Sequence, residues 1–173
     1  MKKIIAMAAA AALLLLAGCS KEESEYQAPE FDKVVATIQF NCNADMAEAF
    51  DLNLYYTKFD GKEYNSQVYT SEQKLIFEGK TLPTTLKYWF AATPKTNLKK
   101  ESYSPELNLK IDVTAYNTEG NVVATGSRTI SKTYGVDAEM ISSINLSYLT
   151  GSFTVSKDES GAVTITRDSD LDE

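Results

Sequence analysis

From Val34 the chain alternates, with Val34, Ala36, Ile38, Phe40 and Cys42 on one parity and Val35, Thr37, Gln39 and Asn41 on the other. That is the period of a half-buried strand. Asn43 to Ala49, acidic and rich in small residues, predicts a turn or a single helical turn. Phe50, Leu52, Leu54 and Tyr56 then alternate with Asp51, Asn53, Tyr55 and Thr57, giving a second strand expected to run antiparallel to the first. Asp60-Gly61 is a strong turn signal, followed by shorter strands at Tyr64 to Thr70 and Lys74 to Glu78. Past Gly79 and Pro83, Leu86, Tyr88, Phe90 and Ala92 oppose Thr85, Lys87, Trp89 and Ala91. Pro94 to Pro105 is a polar loop with the local basic cluster Lys95, Lys99 and Lys100. The clearest hairpin comes next: Leu107, Leu109, Ile111, Val113 and Ala115 alternate strictly, Asn117 to Asn121 turns, and Val122 to Ile130 returns. Asp137 to Ser143 predicts a short capped helix, with a strand from Ile144 through Leu146 and Tyr148 as the competing expectation. A last hairpin runs from Ser152 to Ser156 and back through Ala162 to Arg167, placing Phe153 and Val155 opposite Val163 and Ile165.

About eight or nine short strands, turn signals between them and no long amphipathic helix predict an all-β fold, an antiparallel Ig-like or fibronectin-like β-sandwich. A closed barrel is the alternative. Leu82-Pro83-Thr84-Thr85-Leu86-Lys87-Tyr88 resembles the approach to a tyrosine corner of fibronectin type III modules, with leucine six before the tyrosine and the proline one place off the usual spacing.

The ends differ from this middle. Lys2 and Lys3 precede a fourteen-residue apolar run, Ile4 to Ala17, shorter than the roughly 20 residues that span a bilayer as a helix. Charge, apolar length and the following small residues are those of a secretory signal. Leu16-Ala17-Gly18-Cys19 resembles the lipobox of bacterial lipoproteins, which implies a diacylglycerol on the Cys19 thiol and cleavage before it. Ser20-Lys21-Glu22-Glu23-Ser24-Glu25 resembles the acidic export tags of surface lipoproteins of Bacteroidota, which implies an outer-membrane address facing the cell exterior. Ser20 also differs from the aspartate that retains many lipoproteins in the inner membrane. The expected organisation is a signal peptide at 1–18, a lipidated acidic tether at 19–30, one domain at 31–167, and an acidic tail at 168–173.

Charge and composition narrow the function. The formal charge is −7, and removing residues 1–18, which hold two lysines and no acids, makes it −9. Without a basic patch, nucleic acid is not an expected partner; the expected partners are a membrane, through the lipid, and a glycan or another surface protein. Once Cys19 is lipidated only Cys42 remains, on the apolar parity of its strand, so it reads as a small buried hydrophobe without a disulfide. No histidine is present, which removes the usual general base and the commonest zinc ligand. No nucleophile elbow, phosphate-binding loop or dinucleotide fingerprint occurs, and no carboxylate pair is singled out by its surroundings. The chain reads as a non-enzyme without cofactor or metal. Asp168, Asp170 and Asp172 alternate as in calcium loops, but the glycine and closing glutamate of such loops are missing.

The informative signal is aromatic. If the leucine-bearing faces of their strands point inward, Trp89 and Tyr55 point outward near Lys87, Asn53 and Asp51. A planar ring beside hydrogen-bonding side chains suits a sugar, whose C–H face stacks while its hydroxyls bond, and it also suits a protein hot spot. Tyr64, Tyr69 and Tyr103 are further loop or edge candidates. Two functions follow: a binding module that gathers glycan or another nutrient, or a structural or adhesive subunit of a fimbria-like surface assembly.

Overall fold

A computed structural model describes residues 27–144, 146 and 149–168. Cys19 and the acidic stretch from Ser20 to Glu25 lie outside the described residues, as do Asp170 and Asp172.

The alternating segments form two antiparallel sheets. The first has four strands in the order β4-β1-β7-β8, where β1 is Phe31–Cys42, β4 Gln73–Gly79, β7 Glu106–Asn117 and β8 Val122–Thr133. The second has five in the order β11-β10-β5-β2-β3, where β2 is Phe50–Thr57, β3 Glu63–Gln67, β5 Thr84–Pro94, β10 Gly151–Lys157 and β11 Val163–Asp168. A two-residue pair, β6 (Ser102–Tyr103) with β9 (Val136–Asp137), closes one end. The inward parities form one core: Ile38, Phe40, Leu109 and Ile111 from the first sheet meet Leu54, Leu86, Tyr88 and Phe153 from the second, all fully buried or nearly so. This is a β-sandwich, in which period-two apolar faces shield each other. No strand pairing closes the two sheets into a barrel among the described residues; β8 and β11 lie side by side with only contacts between them.

The expected pairing of the first two strands is corrected. β1 pairs with β4 and β7, whereas β2 pairs with β3 and β5 in the other sheet. The helix α1 (Ala44–Ala49) carries the chain across, burying Met46 and Ala49 over the end of the core. Asn43 organises this crossing. Its Oδ1 accepts from the Met46 amide at 2.9 Å, capping the helix, and from the Glu106 amide at 3.0 Å, while its Nδ2 donates to the Ser104 carbonyl at 2.7 Å.

The opposite end is built by repetition. At 58–62, 117–121 and 158–162 the first residue's amide donates to the fifth residue's carbonyl, at 3.2, 3.0 and 2.9 Å, and the fourth residue, a glycine, donates back to the first. Gly61, Gly120 and Gly161 have φ of 73°, 83° and 82°, the left-handed conformation that a turn followed by a bulge demands at this place. The chain enters the domain at this same end, where Phe31 pairs with Asn117.

Two further expectations are adjusted. Ala138–Ser143 is a 3-10 helix without a side-chain cap from Asp137, so the helical part of the expectation holds and the cap does not; of the competing strand, Tyr148 lies outside the described residues, and Ile144, Leu146 and Leu149 lie outside any strand. Ile141, Leu146 and Leu149 are buried, so they supply core positions from outside the strands. Tyr88 sits within β5, not at a corner, and its hydroxyl accepts from Arg128 Nη1 at 2.6 Å.

Candidate functional site

The outward parity of the five-stranded sheet is almost wholly polar: Thr57, Thr85, Ser152, Thr154 and Thr166 line it. Two rings interrupt it. Tyr55 on β2 is the cross-strand partner of Trp89 on β5, and their rings stack with centroids 5.5 Å apart and an 11° interplanar angle. Both are half-buried. Adjacent strands bring such rings face to face because side chains stand perpendicular to the sheet.

Tyr55 covers one face of the indole, and the other side of Trp89 borders a depression. Strand β10 pairs with β5 only as far as Gly151 opposite Tyr88, so no strand residue stands beside Trp89 on that side. The resulting hollow, about 380 Å³, is lined by Lys87, Tyr88, Trp89, Thr150, Gly151, Ser152 and Asp168. Ser152 joins the polar groups as the partner of both Lys87 and Asp168, which places an ammonium, a hydroxyl and a carboxylate in one row across three strands.

Beneath the hollow lies a residue that sequence reasoning missed. Arg128 on β8 is opposite Ile111, on the inward parity, and only 7% exposed. Its Nη1 donates to the Tyr88 hydroxyl and to the Thr150 carbonyl, both at 2.6 Å. It ties the two sheets, from β8 to Tyr88 on β5 and to the residue just before β10. A buried guanidinium needs such acceptors. The available signal was an arginine flanked by Gly126 and Ile130 on one parity of the strand.

The structure therefore brings together Trp89, Tyr55 and Lys87 of the expected group and adds Ser152 and Asp168. Asn53 lies on the far side of Tyr55, opposite Ala91 and Gln67, and Asp51 lies further along, 3.2 Å from Lys95. Asp168 belongs to β11, not to a tail.

Of the other tyrosines, Tyr103 is corrected from an edge candidate to a core residue, 2% exposed. Its hydroxyl accepts from the Lys99 and Lys100 amides at 2.8 and 3.1 Å and donates to Glu48 Oε1 at 3.1 Å, so it folds the basic loop onto α1. Beside it, the Lys100 ammonium and then the Ser104 amide hold Asp45 below the usual carboxylate range. Tyr64 stacks on Tyr56 at 5.8 Å beneath Lys58, plugging the side of the core, while Tyr69 is exposed. Cys42 is buried and free, and burial pushes its thiol up despite Lys95 nearby. Among the described residues, no three of the Cys, Asp and Glu side chains are grouped to hold a metal ion.

Fold and surface together define a class: an antiparallel two-sheet β-sandwich with an aromatic pair on the outer face of one sheet. Compared with protein-family models, curated proteins and solved structures, the chain matches none.

Proposed function

We propose that this chain is a lipid-anchored lipoprotein of the outer cell surface whose Ig-like sandwich captures a glycan, without catalysis, on the outer face of the five-stranded sheet. The observation that carries the reading is the hollow beside Trp89. A ring face is bordered there by an ammonium, a hydroxyl and a carboxylate, the combination that stacks on a sugar's C–H face and bonds its hydroxyls. Stacking on Tyr55 holds the indole in place before any ligand arrives, which lowers the ordering cost of binding. Lys87 and Asp168 supply a donor and an acceptor at opposite sides of the hollow.

The test is a glycan-array screen of the full chain with Trp89→Ala and Asn53→Ala beside it. Trp89→Ala is expected to lose at least about tenfold in affinity, since one well-packed aromatic carries a large part of such contacts. Asn53→Ala, beyond Tyr55, is expected to bind as the parent does. Equal binding by parent and Trp89→Ala would place the ligand elsewhere. Silence from the parent would instead favour the structural subunit.

A further inference from the structure

β4 is the outermost strand of the four-stranded sheet and pairs with β1 alone. Among the described residues, no backbone group on its other edge bonds to another part of the chain. A free edge of this kind is a template for another strand. Its solvent-facing side chains, with the two flanking positions of the same parity, read Glu72, Lys74, Ile76, Glu78 and Lys80, all exposed. Ile76 is 62% exposed, more than Tyr69, Val122 or Met140.

The charges around Ile76 are antisymmetric: acid, base, isoleucine, acid, base. We propose that β4 pairs antiparallel with β4 of a second copy about a two-fold axis through Ile76, fusing two four-stranded sheets into one. In that register Lys74 lies opposite Glu78 of the other copy and Glu72 opposite Lys80, each twice by symmetry. Ile76 meets its own copy at the axis, and on the inner side Leu75 meets Phe77. Opposite charges across paired strands stabilise them, and like charges oppose pairing.

The same residues reject the neighbouring registers. An axis through Leu75 puts Glu72 opposite Glu78, and an axis through Phe77 puts Lys74 opposite Lys80. A slip by a single residue in pairing turns the charged parity of one strand to the other face, and parallel in-register pairing sets every charge on its like. Lys74 and Glu78 thus act as edge-protecting charges against all partners but one. Glu78 already lies 3.6 Å from Lys33 in an exposed pair, which a second lysine joins without loss.

The axis stands perpendicular to the sheet, so the two copies run in opposite directions and their chain-entry ends lie at opposite extremes. With the axis along a membrane normal, both N-terminal tethers reach one leaflet. The interface leaves the outer face of the five-stranded sheet free, so it does not depend on the glycan reading.

The test uses the full chain in its native membranes. Ile76→Cys is expected to give a disulfide-linked dimer on mild oxidation, because a residue on the axis faces its own copy at a Cα separation of about 4.5–5.5 Å in either kind of antiparallel pair, within disulfide reach. Thr118→Cys, in an exposed turn at the chain-entry end, controls for collision. Adding Lys74→Glu to Ile76→Cys should lower the dimer yield about tenfold, since two attractive pairs become repulsive. Adding Glu78→Lys as well should restore it, because the reversed charges again face their opposites. Cross-linking no greater than in Thr118→Cys, a yield unmoved by Lys74→Glu, or failure of the double reversal to restore it would each overturn the proposal.

Discussion

At the scale of single residues, Gly151 shows how the floor of the hollow is made. A Cβ there would lie 2.6 Å from both Arg128 Nη1 and the Tyr88 hydroxyl oxygen, closer than non-bonded atoms approach. Gly151→Ala is therefore expected to push the guanidinium off its acceptors and destabilise the fold by about 1–3 kcal/mol. Tyr88→Phe removes one acceptor while keeping the ring, and should cost about 1.5–3 kcal/mol, the range for a hydrogen bond to a charged group. Both are read from urea unfolding midpoints. Because the two substitutions strike the same contact, the double variant should lose less than the sum of the singles; full additivity would sink this account. The outward parity of Trp89 and Tyr55 was legible because Leu86, Tyr88 and Phe90, like Leu52 and Leu54, mark the buried face unambiguously. Arg128 was not, because β8 carries polar residues on both parities and only the partner sheet decides which side is inside. Tyr103 was hidden for a related reason. Its loop is polar apart from Leu98 and the flanking prolines, and what holds the hydroxyl inside is the distant Glu48 together with two amides.

Among the elements, the hairpins were read most easily. Asn or Asp followed within a few residues by Gly specifies the turn locally, whatever the remainder of the chain does. Two of these turns also use an aspartate to collect amides: Asp60 accepts from Lys62, and Asp158 from Ser160 and Ala162. Gly120→Ala, at φ 83°, should cost about 1 kcal/mol and lower the melting temperature by roughly 2–4 °C for a chain of this size. Gly135 is the control. Its φ is not left-handed and a Cβ there meets nothing within 4 Å, so Gly135→Ala should melt within a degree or so of the parent or slightly above it. Equal losses at both glycines would mean that the turn conformation is not what the glycine provides. The pairing of β1 and β2 escaped this local logic. Two consecutive alternating segments joined by a short connection usually neighbour each other, but here α1 must cover the open end of the core with Met46 and Ala49, and covering it carries the chain to the opposite sheet.

On the scale of the whole molecule, the question is where the site stands relative to the membrane. The chain enters beside the three glycine turns: Ala28 lies 3.6 Å from where a Cβ on Gly161 would be. Trp89 is five residues along β5 from Thr84, the strand's end nearest that point, hence about 17 Å up the sheet at the rise of an antiparallel strand. Under the lipoprotein reading, the tether has about 40 Å of reach when extended, which by itself lifts the site clear of the headgroups, whether the strands stand along the membrane normal or lie parallel to the membrane as in the β4-paired dimer. Anchoring and binding then separate cleanly. Cys19→Ala should leave the membrane fraction yet keep the glycan affinity of the parent, because the described residues that line the hollow, from Lys87 to Asp168, all belong to the sandwich. Replacing Glu22 and Glu23 by Ala should retain lipidation but reduce cleavage of the protein by protease added to whole cells. If Cys19→Ala stayed membrane-bound, the lipid anchor would be wrong, and the export-tag reading would fall if the glutamate variant were cleaved as readily as the parent. Neither result would touch the sandwich or the stacked rings, which rest on the alternation of the strands alone.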